Sequence, residues 1–401
     1  MVRTKQLIIL SLFLAVGGVP AMGAENEVRF GVTSSTRYND NVSNVEKNKI
    51  ESFSFEIGPS LRYERTDAKY ETGGFYSPRY ATYSESGRGD TSNHNLGIHG
   101  DFRPSSRWNI GLRDTFSLQF DADREFDDNP SDDTTGSNKQ TLRNFLDGTV
   151  AYSLTQRTRL STKASYNLTD REDKELSSNS QISGRVGVNH SISASTTLGG
   201  GALARSQSIT AGSNDNDFDS QNDYYGFFVY AEHRFSPLLV MSGSGGPTWL
   251  VSNRDGDGRD SETSLDYFAS AELTAEIDRG SVALTYQRSS SDFASSATAF
   301  TIDEVAISAD WGVTSLLVLS VNAEWNTRKA ILKVIQDNDI NEVDQWRAAA
   351  TASYRISPEL LTHVTFDYLR QESKQAASNA DKTDRYRVVM RFDYNIDAFR
   401  F

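Results

Sequence analysis

Arginines recur at alternate positions near the end of the chain, in the stretch RYRVVMRF that begins at residue 385. A guanidinium group binds a carboxylate or phosphate through two parallel hydrogen bonds, so arginines along one channel wall could pass anionic groups between them. If the first and last strands of a sheet are neighbours, further arginines share this wall. The hypothesised basic strip consists of Arg29, Arg37, Arg347, Arg355, Arg385, Arg387 and Arg391. The alternative is that these arginines form ion pairs with Asp367, Asp393 and neighbouring carboxylates.

Residues suited to catalysis are few and poorly spaced. The five histidines are His94, His99, His190, His233 and His363. His363 and Asp367 share a face, but four positions along a strand separate them by about 13 Å. No Ser–His–Asp grouping and no glycine-rich phosphate loop emerges, and the lack of cysteine excludes thiolate chemistry. We therefore predict that the chain is not an enzyme and has no catalytic residue, cofactor or metal site.

Acidic residues concentrate in polar segments such as NRDGDGRD, where Asp255, Asp257 and Asp260 could hold a hard cation through oxygen ligands. The terminal bidentate glutamate of the helix–loop–helix calcium site is absent. The favoured interpretation is a solvated external loop that divalent ions bridge to lipopolysaccharide. The net charge of −13 disfavours nucleic-acid binding.

The first residues differ in composition from the rest. Arg3 and Lys5 precede the apolar run LIILSLFLAV, and small residues follow at Gly23 and Ala24. This order is typical of a cleavable secretory signal, and the run is too short for a spanning helix of roughly 20 residues. We predict a signal peptide over 1–24 and one mature domain over 25–401. Cleavage brings the net charge from −13 to about −15.

Apolar and polar residues alternate with a period of two throughout the mature chain, which indicates strands with one apolar face. The segment FSFEIGPSLRY shows the pattern, because its apolar face comprises Phe53, Phe55, Ile57, Pro59, Leu61 and Tyr63. We predict sixteen to eighteen strands between residues 27 and 395, with eighteen favoured. Each spans roughly 10 to 15 residues, which suits tilted strands that cross a membrane.

The connections between these segments alternate in length. Short ones such as RTDA, TQRT and IDRG alternate with long polar ones such as DREFDDNPSDDTTGSN. A soluble sandwich has strands of about five or six residues, and a repeat array would show a recurring motif. We therefore predict an all-β, up-and-down antiparallel transmembrane barrel with short periplasmic turns and long external loops.

A barrel of about eighteen strands is too wide for side chains to fill, so an aqueous channel is expected unless loops plug it. The segment 121–137 is long enough to fold inward as a constriction. The polar positions predicted to face inward are Glu56, Arg62, Glu64, Asp101, Arg103, Arg113, Lys163, Arg185, Glu232, Asp266, Glu272, Glu276, Asp310, Glu324, Arg347 and Arg355. Tryptophans share parity with the apolar face and indicate interfacial girdles rather than a sugar-stacking track.

The signal peptide, the alternating strands and the aromatic end of the chain resemble Gram-negative outer-membrane barrels. In that class a C-terminal aromatic resembles the signal read by the barrel assembly machinery, which implies this role for Tyr394, Phe399 and Phe401. The stretch RYNDNVSN, residues 37 to 44, resembles the opening of the putative beta-barrel porin type 2 family. Those barrels often accompany exopolysaccharide loci, so the resemblance implies an outer-membrane location and a role in export.

Three functions follow from this fold. The first is a porin-like conduit, plausibly for exopolysaccharide or other anionic and polar solutes. The second is a general diffusion porin for small solutes, and the third is a structural or adhesive surface barrel with a plugged lumen. The expected partners are outer-membrane lipids, lipopolysaccharide, the assembly machinery, polysaccharide and periplasmic export components.

Overall fold

The computed structural model describes residues 25–41, 49–84, 89–120, 140–172, 178–210, 220–254, 262–292, 299–330, 340–375, 381–396 and 398–401. Signal peptide 1–24, the aspartates of the 255–261 segment and the predicted constriction 121–137 lie outside the described residues. Among the residues described, no helix is long and apolar enough to cross a membrane.

The described chain consists of eighteen long strands and one short one. They are β1 (Glu25–Asn39), β2 (Ser52–Thr66), β3 (Tyr70–Tyr83), β4 (Thr91–Phe102), β5 (Trp108–Phe120), β6 (Gln140–Ser153), β7 (Thr158–Arg171), β8 (Ser178–Ser191), β9 (Thr196–Thr210), β10 (Ser220–Ser236), β11 (Leu239–Arg254), β12 (Glu262–Ile277), β13 (Gly280–Asp292), β14 (Ala299–Gly312), β15 (Leu317–Ala330), β16 (Ile340–Arg355), β17 (Leu360–Gln375), β18 (Asp381–Asn395) and β19 (Phe399–Arg400).

Each long strand pairs antiparallel with the next one in the chain, and β1 also pairs with β18, so the sheet closes on itself. In the closing register, Val32 lies opposite Tyr394 and Ser35 opposite Arg391. The predicted all-β barrel of eighteen antiparallel strands is therefore confirmed. Closure leaves no long strand with an unpaired edge, which is the requirement that a sheet must meet in hydrocarbon.

The period-two pattern of the sequence becomes the two faces of the barrel. On β2, Phe53, Phe55 and Ile57 are exposed on the outward face, while Ser54 and Glu56 between them are buried on the lumenal face. Successive side chains of a strand point to opposite faces, so every strand repeats this division. The five tryptophans Trp108, Trp249, Trp311, Trp325 and Trp346 all lie outward, as the girdle interpretation requires, and none of them offers a lumenal stacking surface.

The two ends of the lumen differ in solvent access. Lumenal side chains near the strand ends that lead into the longer connections are buried, among them Asn39, Ser52, Thr91, Thr141, Asn222, Leu250, Asn326 and Arg328. Lumenal side chains near the short turns are exposed, among them Arg29, Arg62, Glu272, Glu276 and Asp310. The wall is therefore accessible from the turn end and closely packed at the other.

The last residues return to the closing seam. After β18, Phe399 lies opposite Val28 of β1, and the amides and carbonyls of Phe401 and Asn26 form two hydrogen bonds of 3.2 Å. The rings of Phe399 and Phe30 meet edge to face at 6.3 Å. Phe401 is 74% exposed on the outside of the barrel. The assembly signal assigned to Tyr394, Phe399 and Phe401 stays a prediction. All three side chains are exposed and could be contacted by a recognising protein.

One outward position breaks the apolar pattern in the middle of a strand. Asp114 lies between Leu112 and Phe116 on the outward face of β5 and accepts a hydrogen bond of 2.6 Å from Asn144 of β6. The amide partner satisfies one carboxylate oxygen.

Ring closure can be tested with one engineered disulfide, because the chain has no cysteine of its own. Val32 and Tyr394 are direct cross-strand partners, and such pairs have Cα atoms about 4.5–5.5 Å apart, within disulfide range. We expect Val32→Cys/Tyr394→Cys to crosslink on oxidation, seen as a mobility shift on a non-reducing gel after heat denaturation. Val32→Cys/Val364→Cys, two strands apart, should stay uncrosslinked; equal crosslinking of both would contradict the register.

Candidate functional site

The lumenal wall is the candidate site, because it is where the charged side chains of most strands converge. Inward positions alternate with outward apolar ones, so each strand contributes a row of polar groups to one continuous surface. The charges on this surface are sorted by strand. The cations that face inward from β7, β8 and β9 are Arg159, Lys163, Arg171, Arg185 and Arg205, and no described carboxylate faces inward from these three strands.

The neighbouring sector is acidic near the short turns. Glu232 of β10, Glu272 and Glu276 of β12 and Asp310 of β14 face inward there. Hydroxyl groups donate hydrogen bonds to two of them: Tyr230 to Glu232 over 2.6 Å, and Thr274 to Glu272 over 3.1 Å. The wall therefore carries a basic sector and an acidic sector side by side.

Ring closure brings the hypothesised basic strip onto one wall. Arg391 of β18 lies opposite Ser35 of β1, one strand away from Glu56 of β2. Carboxylate partners among the described residues are seen for Arg29 with Glu27, Arg37 with Glu56 at 3.1 Å, Arg347 and Arg387 with Asp367 at 3.4 and 2.7 Å, and Arg391 with Asp393 at 2.8 Å. Arg385 is buried, and Arg355 is exposed near the turns. Guidance of anions by the strip stays a prediction.

Asp367 is the centre of this network. The residue is only 2% exposed and binds Arg347 through one carboxylate oxygen and Arg387 through the other. A buried carboxylate is stable only when cations and hydrogen bonds replace its lost hydration. The three residues lie on β16, β17 and β18, so the bridge links these three adjacent strands beside the closing seam.

A Ser–His–Asp grouping does occur, where the sequence indicated none. His363 Nδ1 lies 2.8 Å from Ser353 Oγ, and its Nε2 lies 3.3 Å from Asp393 Oδ2. The partners come from β16 and β18, on either side of the strand that carries His363. Reasoning along one strand considered only Asp367 and could not find a carboxylate supplied by the next strand.

The surroundings of this grouping argue against nucleophilic catalysis. Hydroxyl–imidazole pairs also join Thr158 to His190 and Thr196 to His233, each at 2.9 Å between direct cross-strand partners. Ser353 lies within the ladder between β15 and β17, where strand pairing engages the neighbouring backbone amides that an oxyanion site would need. Asp393 also accepts hydrogen bonds from Thr33 and Arg391. These contacts are consistent with structural cross-strand pairing.

Three potential metal ligands meet on the wall between β2 and β4. Donor atoms of Glu64, Glu71 and His99 all lie within 4.8 Å of one another. Glu64 already accepts hydrogen bonds of 2.6 Å from Arg62, which supplies the positive charge that an ion would otherwise provide. Exposed acidic clusters of this kind are common without an ion, so the grouping carries no metal assignment.

A recess of about 500 Å³ opens in the basic sector. Its charged lining consists of Lys163, Arg185, Arg205 and Arg288, together with serines from five strands. The sequence placed Lys163 and Arg185 inward but did not single out Arg205 or recognise the recess. The sequence feature that could have indicated the recess is the lack of an inward carboxylate over the three consecutive strands β7, β8 and β9.

No protein-family model and no curated protein matches the sequence. Solved structures of the FrpB iron transporter from Neisseria meningitidis, the F3-3 and F5-1 variants, resemble the chain with TM-scores of 0.50 and 0.51 and 9% sequence identity. They match over 92% of this chain and 82% and 81% of theirs. OccK2 from Pseudomonas aeruginosa matches with a TM-score of 0.46, 11% identity and coverage of 92% and 98%. The FrpB likeness shows a shared fold; the porin type 2 resemblance stays a prediction.

The bridge at Asp367 yields a stability prediction. Asp367→Ala removes a buried anion and leaves two arginines without it, so the free energy of unfolding should fall by about 3 kcal/mol. Urea unfolding in lipid vesicles measures the change. Arg62→Gln removes an exposed lumenal ion pair and should cost less than about 1 kcal/mol. Equal effects of the two substitutions would show that Asp367 does not stabilise the pairing of β16, β17 and β18.

The Ser353 grouping yields a reactivity prediction. A fluorophosphonate labels a serine only when a base and an oxyanion site activate it, so the intact mass of the folded protein should stay unchanged after treatment. Labelling that disappears in Ser353→Ala would overturn the structural interpretation. Thr158→Ala, at an equivalent hydroxyl–imidazole pair, is the matched control.

Proposed function

We propose that the chain is an outer-membrane channel for polar solutes. The single observation that carries the proposal is the closed ring of eighteen strands with an apolar outward face and a charged inward face. FrpB, which shares the fold, is an iron transporter by name; this supports transport as a role without indicating the solute.

The outward face supports insertion into a bilayer. Large apolar side chains such as Phe227, Val229 and Leu265 are more than 60% exposed, which water would penalise and hydrocarbon favours. Closure pairs the backbone groups that hydrocarbon cannot hydrate. The outward tryptophans supply amphipathic rings suited to the interface between lipid and water.

The inward face supports passage of hydrophilic solutes. Ion pairs and hydroxyl groups line the wall, and the turn-end residues Arg29, Glu272 and Glu276 are exposed within the lumen. Eighteen strands enclose more space than wall side chains fill. A hydrated interior of this kind favours polar and charged solutes over apolar ones.

The finer proposal is a conduit for exopolysaccharide or other anionic solutes. It is supported by the resemblance of residues 37 to 44 and by the inward cations on β7, β8 and β9. The proposed route to the membrane begins with removal of 1–24 and continues with recognition of Tyr394, Phe399 or Phe401 by the assembly machinery. Lipopolysaccharide and periplasmic export components are the proposed neighbours.

Planar-bilayer recording tests the channel function. The refolded protein should produce discrete conductance steps in potassium chloride, because a hydrated lumen lets ions cross. Heat-unfolded protein at the same detergent concentration is the control. A correctly folded barrel that never conducts would favour the structural or adhesive role with a plugged lumen. Among conducting barrels, faster vesicle entry of galacturonate than of galactose would support the anionic preference.

A further inference from the structure

We propose that the recess between β7 and β13 is a binding site for a small hydroxylated carboxylate, such as a sugar acid, held by Lys163, Arg185 and Arg205. The proposal rests on the proposed channel function only for the route by which the solute arrives. It places anion recognition in the basic sector rather than in the paired arginines of the basic strip.

The three cations are neighbours by strand register. Lys163 of β7 lies directly opposite Arg185 of β8, and Arg185 lies diagonally across from Arg205 of β9, whose direct partner is Ser183. Opposed residues of this type have Cβ atoms about 4.5–5.5 Å apart, and diagonal ones about 7–8 Å. Like charges in these positions repel one another, so they lower the stability of the folded wall. A bound anion would offset this repulsion.

Aromatic rings hold the two guanidinium groups in place. Arg185 lies over the ring of Phe228 and Arg205 over the ring of Tyr224, each with its guanidinium carbon 3.7 Å from the ring centroid. Phe228 lies flat against the wall because glycines stand opposite it: a Cβ at Gly201 would approach the ring to 2.8 Å, and one at Gly187 to 3.0 Å. Cation–π contact orients both arginines, and no carboxylate among the described residues forms an ion pair with either of them.

Compensating carboxylates are absent from the described lining of the recess. The fourth cation, Arg288, differs because it binds Asp303 at 2.9 Å and Asp266 at 3.4 Å. On Arg205, Nε and one terminal nitrogen are buried without a hydrogen-bond partner among the described residues. A buried N–H donor of a charged group that has no hydrogen-bond partner loses its hydration free energy without compensation. A ligand oxygen at this position would therefore stabilise the folded site.

The rest of the lining indicates the ligand class. Ser165, Ser183, Ser244, Ser270 and Gln287 surround the cations, and hydroxyl pairs bridge neighbouring strands at 2.6 and 2.8 Å. Hydroxyl and amide groups can both donate and accept, which suits a solute that carries several hydroxyls beside its carboxylate. A space of about 500 Å³ falls in the usual range of small-molecule sites.

Calorimetric titration of the detergent-solubilised protein with D-galacturonate at low ionic strength tests the site. Galacturonate should bind and galactose should not, and affinity should fall as salt rises. Arg205→Gln could impair folding, so the main variant is Lys163→Gln/Arg185→Gln, whose side chains are exposed within the lumen. Each lost cation should weaken binding about tenfold.

The matched control is Arg62→Gln/Arg113→Gln, which removes two exposed lumenal arginines outside the recess. Unchanged galacturonate affinity in Lys163→Gln/Arg185→Gln, or an equal loss in the control, would overturn the assignment. Binding to galactose as tight as to galacturonate would overturn it as well. The titration needs no ion current, so a barrel that binds but does not conduct would contradict the channel function and leave the site standing.

Discussion

The fold depends on one constraint, which is that backbone N–H and C=O groups in hydrocarbon must find partners within the sheet. A sheet meets this requirement only by closing, and here β1 meets β18 in continuous register before β19 extends the seam. Closure then determines what the side chains do. Along the eighteen long strands described, one set of alternate residues faces outward and the other faces the lumen.

Strand number and strand direction could be predicted because this constraint leaves a pattern in the linear sequence. A period of two shows which residues share a face, and connections of alternating length show which strand ends lie at the same end of the barrel. The outward tryptophans and the inward Glu56, Arg62 and Lys163 followed from parity alone. Asp114 departs from that parity, because its hydrogen bond to Asn144 depends on a neighbouring strand that a single-strand pattern does not include.

The lumenal site was less predictable because its chemistry is set between strands. Parity brought the arginines of the strip to one wall, but the bridging role of Asp367 and the contact of His363 with Asp393 depend on register. Register decides which residues of adjacent strands lie opposite or diagonal to one another. The period-two pattern assigns each residue to a face but does not specify how far one strand is shifted against the next. The same limit hid the recess, because Lys163 and Arg185 are 22 positions apart along the chain and Arg185 and Arg205 are 20 apart, yet the three are neighbours in the sheet.

The unequal ends of the lumen have an electrical consequence. The wall is closely packed near the longer connections and exposed near the turns, and its cations on β7, β8 and β9 stand beside the carboxylates that β10, β12 and β14 carry near the turns. Fixed charge that is distributed unequally between the two ends of a channel concentrates mobile ions differently under opposite voltages. Current through such a conduit would rectify, and the polarity that carries more current would report which end of the barrel faces the applied side.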